Sequence, residues 1–165
     1  MSKRIALIMP KKLEDADIIK LTNDFNLCSV TPCSLPNLFT FYENTCTYFI
    51  KDSEDDDAIG VGASFLYDAY RYAIRRNTNP HEKEISSKNL ERIQKSVEKW
   101  LNIVHYFLSN QMQYVGIFIT SDDNYDYENQ SIVQQPTNQV SYLTAHDLNS
   151  TRILFMQYGV IYFFE

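Results

Sequence analysis

The clearest pattern of hydrophobic and polar residues lies between residues 90 and 108, where apolar side chains recur at steps of three and four. This spacing predicts an amphipathic helix of about five turns. Ser86 or Ser87 is the expected N-cap, because a short hydroxyl side chain accepts hydrogen bonds from first-turn N–H groups. Glu91 and Lys95 stand four residues apart in the favourable order, which places them on the solvent face. The apolar stripe consists of Leu90, Ile93, Val97, Trp100, Leu101, Val104, Phe107 and Leu108.

Two further segments carry helical spacing. Residues 14–25 begin with acidic side chains, which complement the positive end of a helix dipole. The second segment begins after the acidic run at 55–57 and is stopped by Pro80, which disfavours helix at the residue before it. The sequence therefore predicts about three helices. The apolar positions are Ile18, Leu21 and Phe25 in the first segment and Ile59, Ala63, Leu66, Tyr70, Ala73 and Ile74 in the second.

Short apolar or alternating runs predict β-strands over residues 5–9, 114–120, 140–143, 153–156 and 160–164. Residues 38–50, rich in Phe, Tyr and Thr, are interpreted as a hairpin, with one bent strand as the alternative. Gly159 is expected to supply a positive φ in a turn between the last two strands. The Pro-containing residues 26–37 and the polar residues 121–138 are predicted to be loops.

Helices in the middle of the chain and strands toward both ends predict an α+β fold, in which about three helices pack on a sheet. A mixed α/β arrangement is the alternative, because the pattern does not fix the order of the strands. With 165 residues, the chain is expected to form a single globular domain over 1–165. Its 44% hydrophobic and 22% charged residues separate it from disordered and membrane classes.

The charge and the cysteines exclude several classes of function. The formal net charge of −6 and the absence of a basic run disfavour nucleic acid and anionic membranes as partners. No apolar run approaches the roughly 20 residues that cross a bilayer, and the short run at 5–9 predicts no export signal. Cys28, Cys33 and Cys46 lack a paired motif, so they are interpreted as ordinary thiols. We therefore expect a cytoplasmic protein.

Two segments superficially match ligand-binding motifs. Gly60 and Gly62 open a predicted helix, as in a phosphate-binding turn, but the third glycine and the Lys-Ser/Thr ending are missing. The acidic residues at 55–57 would also repel phosphate there. The acids of 54–57 lack the spacing of a calcium loop and are typical of a solvated helix start. We expect no cofactor and no metal.

The three histidines are His81, His105 and His146, which are the residues suited to acid–base work near neutral pH. None has a recognisable set of partner residues, and the neighbouring pair His146-Asp147 is equally explained by a turn. We therefore assign no catalytic residue. A small enzyme that uses His146 or His105 with a nearby carboxylate is one alternative function. A structural or regulatory subunit of a larger assembly is another.

Acidic residues and tyrosines are mixed in one short segment, and a second acidic run lies upstream. Tyrosine supplies contact area at low entropic cost, and carboxylates steer a basic partner. The leading hypothesis is therefore an acidic protein-binding inhibitor, of the immunity or antitoxin type, that is monomeric alone and covers the active site of a cationic toxin, such as a nuclease. The candidate partner-binding residues are Asp122, Asp123, Tyr125, Asp126, Tyr127 and Glu128, with Asp55, Asp56 and Asp57 as a second patch.

Overall fold

The computed structural model describes residues 3–35, 44–51, 87–133, 136, 138–142 and 159–165. Two α-helices lie in these ranges: α1 (Asp15–Ile19), which continues as a π-helical turn over Lys20–Asp24, and α2 (Ser87–Ser109). The strands are β1 (Lys3–Met9), β2 (Ser29–Cys33), β3 (Cys46–Lys51), β4 (Val115–Ser121), β5 (Tyr125–Asp126), β6 (Ser131–Ile132), β7 (Asn138–Tyr142) and β8 (Val160–Phe164).

Six of these strands form one sheet with the order β2-β3-β1-β4-β8-β7, and β5 pairs with β6 separately. Neighbours in the large sheet are antiparallel except β7 and β8, which are parallel. The predicted α+β class agrees with this mostly antiparallel sheet. The described residues contain two of the roughly three expected helices. The helix predicted from residue 59 to residue 76 lies outside the described residues.

The large sheet is covered on both faces, which explains why β1, β4 and β8 consist of nearly continuous apolar runs. One face packs against α2 and α1, and the other carries the small β5–β6 hairpin. Burial of each large side chain contributes roughly 1.5–3 kcal/mol, so the stripe of α2 is a major source of stability. On the α2 side the buried residues include Ile5, Leu7, Trp100, Ile103, Phe107, Ile117 and Ile119, and on the hairpin side Ile8, Phe49, Phe118, Tyr125, Ile132 and Phe163.

Side-chain hydrogen bonds join α1 and the residues just before it to the rest of the fold. The Tyr106 hydroxyl on α2 donates to Asp17 Oδ1 at 3.1 Å. The Tyr48 hydroxyl on β3 accepts from the Leu13 N–H at 2.8 Å, just before α1. These contacts connect positions far apart in sequence, so they fix α1 against the same face of the sheet as α2. The predicted helices over 14–25 and 90–108 are confirmed.

The loop predicted over 26–37 is wrong at Ser29–Cys33, which form the edge strand β2. An edge strand needs hydrogen bonds on one side only, so it tolerates Pro32, which lies opposite Tyr48 of β3 and is exposed. The side chains of β2 are mostly partly buried and show no clear alternation of apolar and polar residues, so the sequence did not indicate a strand. The only apolar residue of β2 that packs into the core beneath α2 is Val30.

The loop predicted over 121–138 is also wrong in part, because it contains the β5–β6 hairpin. Two-residue strands are too short to show a periodic pattern. The strands predicted at 5–9, 114–120 and 160–164 are confirmed, and the strand predicted at 140–143 is shifted to Asn138–Tyr142. Gly159 has the expected positive φ, 80°, but the rest of the hairpin turn predicted there lies outside the described residues. Residues 38–43 of the predicted hairpin and the strand predicted at 153–156 lie outside the described residues.

Candidate partner-binding surface

The β5–β6 hairpin has a turn that is held by its own aspartate. The Asp126 carboxylate accepts hydrogen bonds from the backbone N–H of Glu128 at 3.0 Å and of Asn129 at 3.1 Å. It also accepts from Asn129 Nδ2 at 2.7 Å. The side-chain hydrogen bond from Asn129, followed by the backbone hydrogen bonds, holds the pKa of Asp126 below its usual value. The sequence therefore specifies the shape of the turn locally, as aspartate commonly does.

The base of the hairpin is anchored on the sheet face opposite α2. The Tyr125 ring stacks on Phe49 of β3 with ring centroids 4.0 Å apart and an interplanar angle of 17°. Ile132 is 1% exposed in the same cluster. Ser34, just beyond β2, donates its N–H to the Gln130 carbonyl at 2.9 Å and accepts from the Ile132 N–H at 2.8 Å. These contacts fix the hairpin to β2 and β3.

An exposed aromatic side chain lies at the tip of this anchored hairpin. Tyr127 is 67% exposed, and its ring meets the Tyr125 ring edge-on at 4.8 Å. Glu128 in the same turn and Asp123 in the preceding 3₁₀ turn are exposed. We call Tyr127 and Glu128 the hairpin tip, whereas Asp123 lies at the base of the hairpin, next to Asn124, whose carbonyl accepts from the Val133 N–H. The hairpin tip combines a tyrosine supported by the Tyr125 ring with one exposed carboxylate.

The structure separates the candidate residues into different environments. Tyr125 is only 8% exposed, so its ring supports Tyr127 from below. The sequence-based prediction that Tyr125 presents an exposed ring to a partner is therefore wrong. Asp126 is partly buried, and its carboxylate is engaged in the turn. Asp122 lies in the 3₁₀ turn before β5. The second candidate patch, Asp55, Asp56 and Asp57, lies outside the described residues.

The residues considered for catalysis are placed as follows. His105 is exposed on α2, and His81 and His146 lie outside the described residues. Burial raises the pKa of the Cys33 thiol to about 12, so it is protonated at neutral pH and is a poor nucleophile. Within the described ranges, no three His, Cys, Asp or Glu side chains gather as metal ligands would, and no helix is long and apolar enough to cross a membrane.

A cleft of about 150 Å³ lies beside the hairpin, where β1 and β2 begin and β3 ends. Sequence reasoning missed it, because its two cations, Arg4 and Lys51, are far apart in the chain and meet only through strand pairing. Tyr125, Tyr127 and Gln130 of the hairpin form one wall. The other described lining residues are Arg4, Ser29, Thr31, Phe49 and Lys51 on the sheet.

Comparison with known proteins gives no further assignment. No protein-family model, no curated protein and no solved structure matches the chain. The geometry of the described residues is therefore the basis for a functional proposal.

Proposed function

We propose that this protein is an inhibitor of the immunity or antitoxin type, which covers the active site of a cationic enzyme, such as a nuclease, with its hairpin tip. The observation that carries the proposal is Tyr127, 67% exposed on a short hairpin that is fixed at its turn and at its base. An exposed tyrosine offers a large apolar ring with a hydrogen-bonding hydroxyl at its end. Tyrosine is also one of the residues that contribute most to binding energy at protein interfaces.

The rigidity of the hairpin supports this function. Ordering a mobile loop on binding costs free energy, so a surface that is already ordered binds more tightly for the same contacts. The carboxylate of Asp126 fixes the turn, and the stack of Tyr125 on Phe49 fixes the base. Tyr127 is thereby presented with its ring already positioned against Tyr125.

The charge of the chain sets the kind of partner. The protein carries 21 acidic and 15 basic side chains; Glu128 exposes a carboxylate in the same turn as Tyr127, and Asp123 exposes another at the base of the hairpin. A negative surface accelerates association with a basic protein. Screening lengths fall from about 10 Å at 0.1 M salt to about 3 Å at 1 M, so the association rate should fall steeply as salt is added. Asp55, Asp56 and Asp57 belong to the same proposal as a second acidic patch.

The experiment is a titration of the captured partner with variants of the hairpin tip. The partner is first isolated with the tagged full-length chain at low salt, and its affinity is then measured by calorimetry. Tyr127→Ala is expected to weaken binding by roughly 30-fold or more, the effect of losing an interface hot spot of about 2 kcal/mol. Thermal stability should change little, because the removed side chain is exposed.

Ile19→Ala is the matched control, because Ile19 is 57% exposed but lies on α1, on the other side of the sheet. Its affinity for the partner should stay within about twofold of the parent, a difference of less than 0.5 kcal/mol. Equal affinity of the parent and Tyr127→Ala would contradict the proposal, as would an equal loss in both variants. The free protein should run as a monomer in gel filtration.

A further inference from the structure

Gln130 ends the turn of the hairpin in a backbone conformation that residues with a Cβ rarely adopt. Its φ is 49°, in the left-handed region, where the Cβ crowds the following carbonyl oxygen. Four non-glycine residues have a positive φ in the described part of the chain. Two of them are Asn26 and Asn44, and asparagine is among the residue types that enter this region most readily. Gln130 and Gln111 lack that explanation.

The hydrogen bonds of the turn do not require a glutamine at position 130. The side chains of Asp126 and Asn129 hold the turn. Gln130 contributes its main-chain carbonyl, which accepts from the Ser34 N–H at 2.9 Å, and every residue type has that carbonyl. Glycine would make the same contact without the crowding, because it has no Cβ. The stability of the hairpin therefore does not explain why a glutamine occupies this strained position.

Gln130 is exposed, and it lines the cleft beside the hairpin together with Tyr127 of the same turn. Residues in a strained left-handed conformation are concentrated at binding and catalytic sites, where the strain is part of how the site is built. The amide of glutamine carries both hydrogen-bond donors and an acceptor. The turn thus adds a neutral hydrogen-bonding group to the cleft, close in the chain to the exposed ring of Tyr127.

The rest of the cleft favours an uncharged segment of a protein. Arg4 and Lys51 have contacts of their own, and as cations they repel the basic side chains that a cationic partner carries. Ser29 and Thr31 add hydroxyl groups to the described lining. A peptide group offers one N–H and one C=O, which amide and hydroxyl groups match. A cavity of about 150 Å³ holds a benzene molecule, which is similar in size to a peptide group with its flanking Cα atoms.

We propose that Gln130 is a second partner-binding residue, whose side-chain amide binds the main chain of an uncharged segment of the partner in this cleft. The inference rests on the proposed function, because Tyr127 and Gln130 then contact the same basic protein. It extends the contact surface from the hairpin tip along the turn and into the cleft. The strain at Gln130 is then retained because a glycine there would keep the turn and lose the contact.

The experiment compares Gln130→Gly with Gln111→Gly in the full-length protein. Gln111 is a matched control, because it is also an exposed glutamine with a positive φ, 69°. It precedes β4, whereas the hairpin follows the other end of that strand, roughly 20 Å away. Both substitutions should leave the Tm unchanged or raise it by up to about 4 °C, because glycine relieves the strain but loses more entropy on folding.

The affinity for the basic protein isolated with the tagged chain is then measured by calorimetry. Gln130→Gly should weaken binding roughly fivefold to tenfold, the effect of losing a typical hydrogen bond, and Gln111→Gly should leave it within about twofold. Gln130→Met is the second variant, because methionine keeps the length and the Cβ but removes the amide. It should weaken binding as much as Gln130→Gly, which excludes a more flexible turn as the cause.

Parent affinity of Gln130→Met, or an equal loss in Gln111→Gly, would overturn the inference. If Tyr127→Ala weakens binding and Gln130→Met does not, the role of Gln130 is refuted and the proposed function stands. If neither substitution weakens binding, both proposals are refuted.

Discussion

Gly116 lies at a crowded point of the sheet, and adding one methyl group there tests the packing of its centre. A Cβ built on Gly116 would lie 2.8 Å from Phe163 Cε1 and 2.9 Å from Ile8 Cβ. Carbon atoms in ordinary contact are about 3.5–4.0 Å apart. Gly116 of β4 pairs with Ile8 of β1 and with Phe163 of β8, so strands on both sides resist any displacement.

The size of the effect follows from two opposing contributions. Overpacking of a buried site costs about 1–3 kcal/mol, and alanine returns about 0.4–1 kcal/mol by restricting the unfolded chain. We therefore expect Gly116→Ala to lower the free energy of unfolding by about 1–2 kcal/mol. For a chain of this size, that corresponds to a Tm lower by about 2–8 °C.

The assay is urea and thermal unfolding of Gly116→Ala in the parent and in a Phe163→Leu background. Leucine lacks the far ring atoms of Phe163, including the Cε1 atom nearest the added methyl group. Gly116→Ala should therefore cost at least about 0.5 kcal/mol less in that background, a coupling typical of residues in contact. Equal or higher stability of Gly116→Ala, or the same cost in both backgrounds, would refute the packing described for this face.

Three further predictions concern the hairpin and its surroundings. Tyr125→Phe should leave the free energy of unfolding unchanged or raise it by up to about 1 kcal/mol, because it removes a buried hydroxyl with no partner in the described part of the chain. A loss of more than about 1 kcal/mol in urea unfolding would show that the hydroxyl has a hydrogen-bond partner. Asp126→Ala should speed hydrogen exchange of the turn amides, and Asp126→Asn, which keeps an acceptor oxygen, should do so less. Because the pKa of Asp126 is lowered, its stabilisation is complete above about pH 4, the ordinary aspartate pKa, and is lost as the pH falls through the lower folded value. Two variants that each keep one cysteine, Cys33 or Cys28, can be compared by their rates of reaction with a thiol reagent at pH 8. Cys33 should react roughly tenfold or more slowly than the exposed Cys28, because burial raises the pKa of Cys33 to about 12. Equal rates would contradict the burial of Cys33.

The elements buried on a long apolar stripe or run could be predicted from the sequence. Trp100, Val104 and Phe107 recur at helical spacing because one side of α2 packs on the sheet. The run Ile5 to Met9 is continuous because both faces of β1 are buried. In each case the physical cause, burial of one face or two, leaves a periodic signal in the chain itself.

The elements at the edge of the fold could not be predicted in this way. Strand β2 contains Pro32 and leaves one side unpaired, so its sequence has the composition of a loop. The β5–β6 hairpin is stabilised by the turn at Asp126 and by the stack of Tyr125 on Phe49. The turn depends on a single aspartate, which is too short a pattern to predict a hairpin. The stack depends on Phe49, which is far from Tyr125 in the chain.

The two candidate surfaces differ in how much the sequence revealed. The acidic character of the hairpin tip is visible in residues 122–128, although the pattern did not separate buried Tyr125 from exposed Tyr127. The cationic cleft left no local signal, because Arg4 and Lys51 become neighbours only when β1 pairs with β3. Strand order decides such a site, and hydrophobic patterning does not fix strand order.

The central claim is that the hairpin tip contacts a basic protein partner, and site-specific photo-crosslinking in the native lysate tests it most directly. The photoreactive residue p-benzoylphenylalanine replaces Tyr127 in one variant and Ile19 in the control, both exposed positions on opposite sides of the sheet. We predict one basic protein crosslinked from position 127 at low salt, a weaker band at raised salt, and no such band from position 19. The same band from both positions, or no crosslink from position 127 at either salt, would contradict the account.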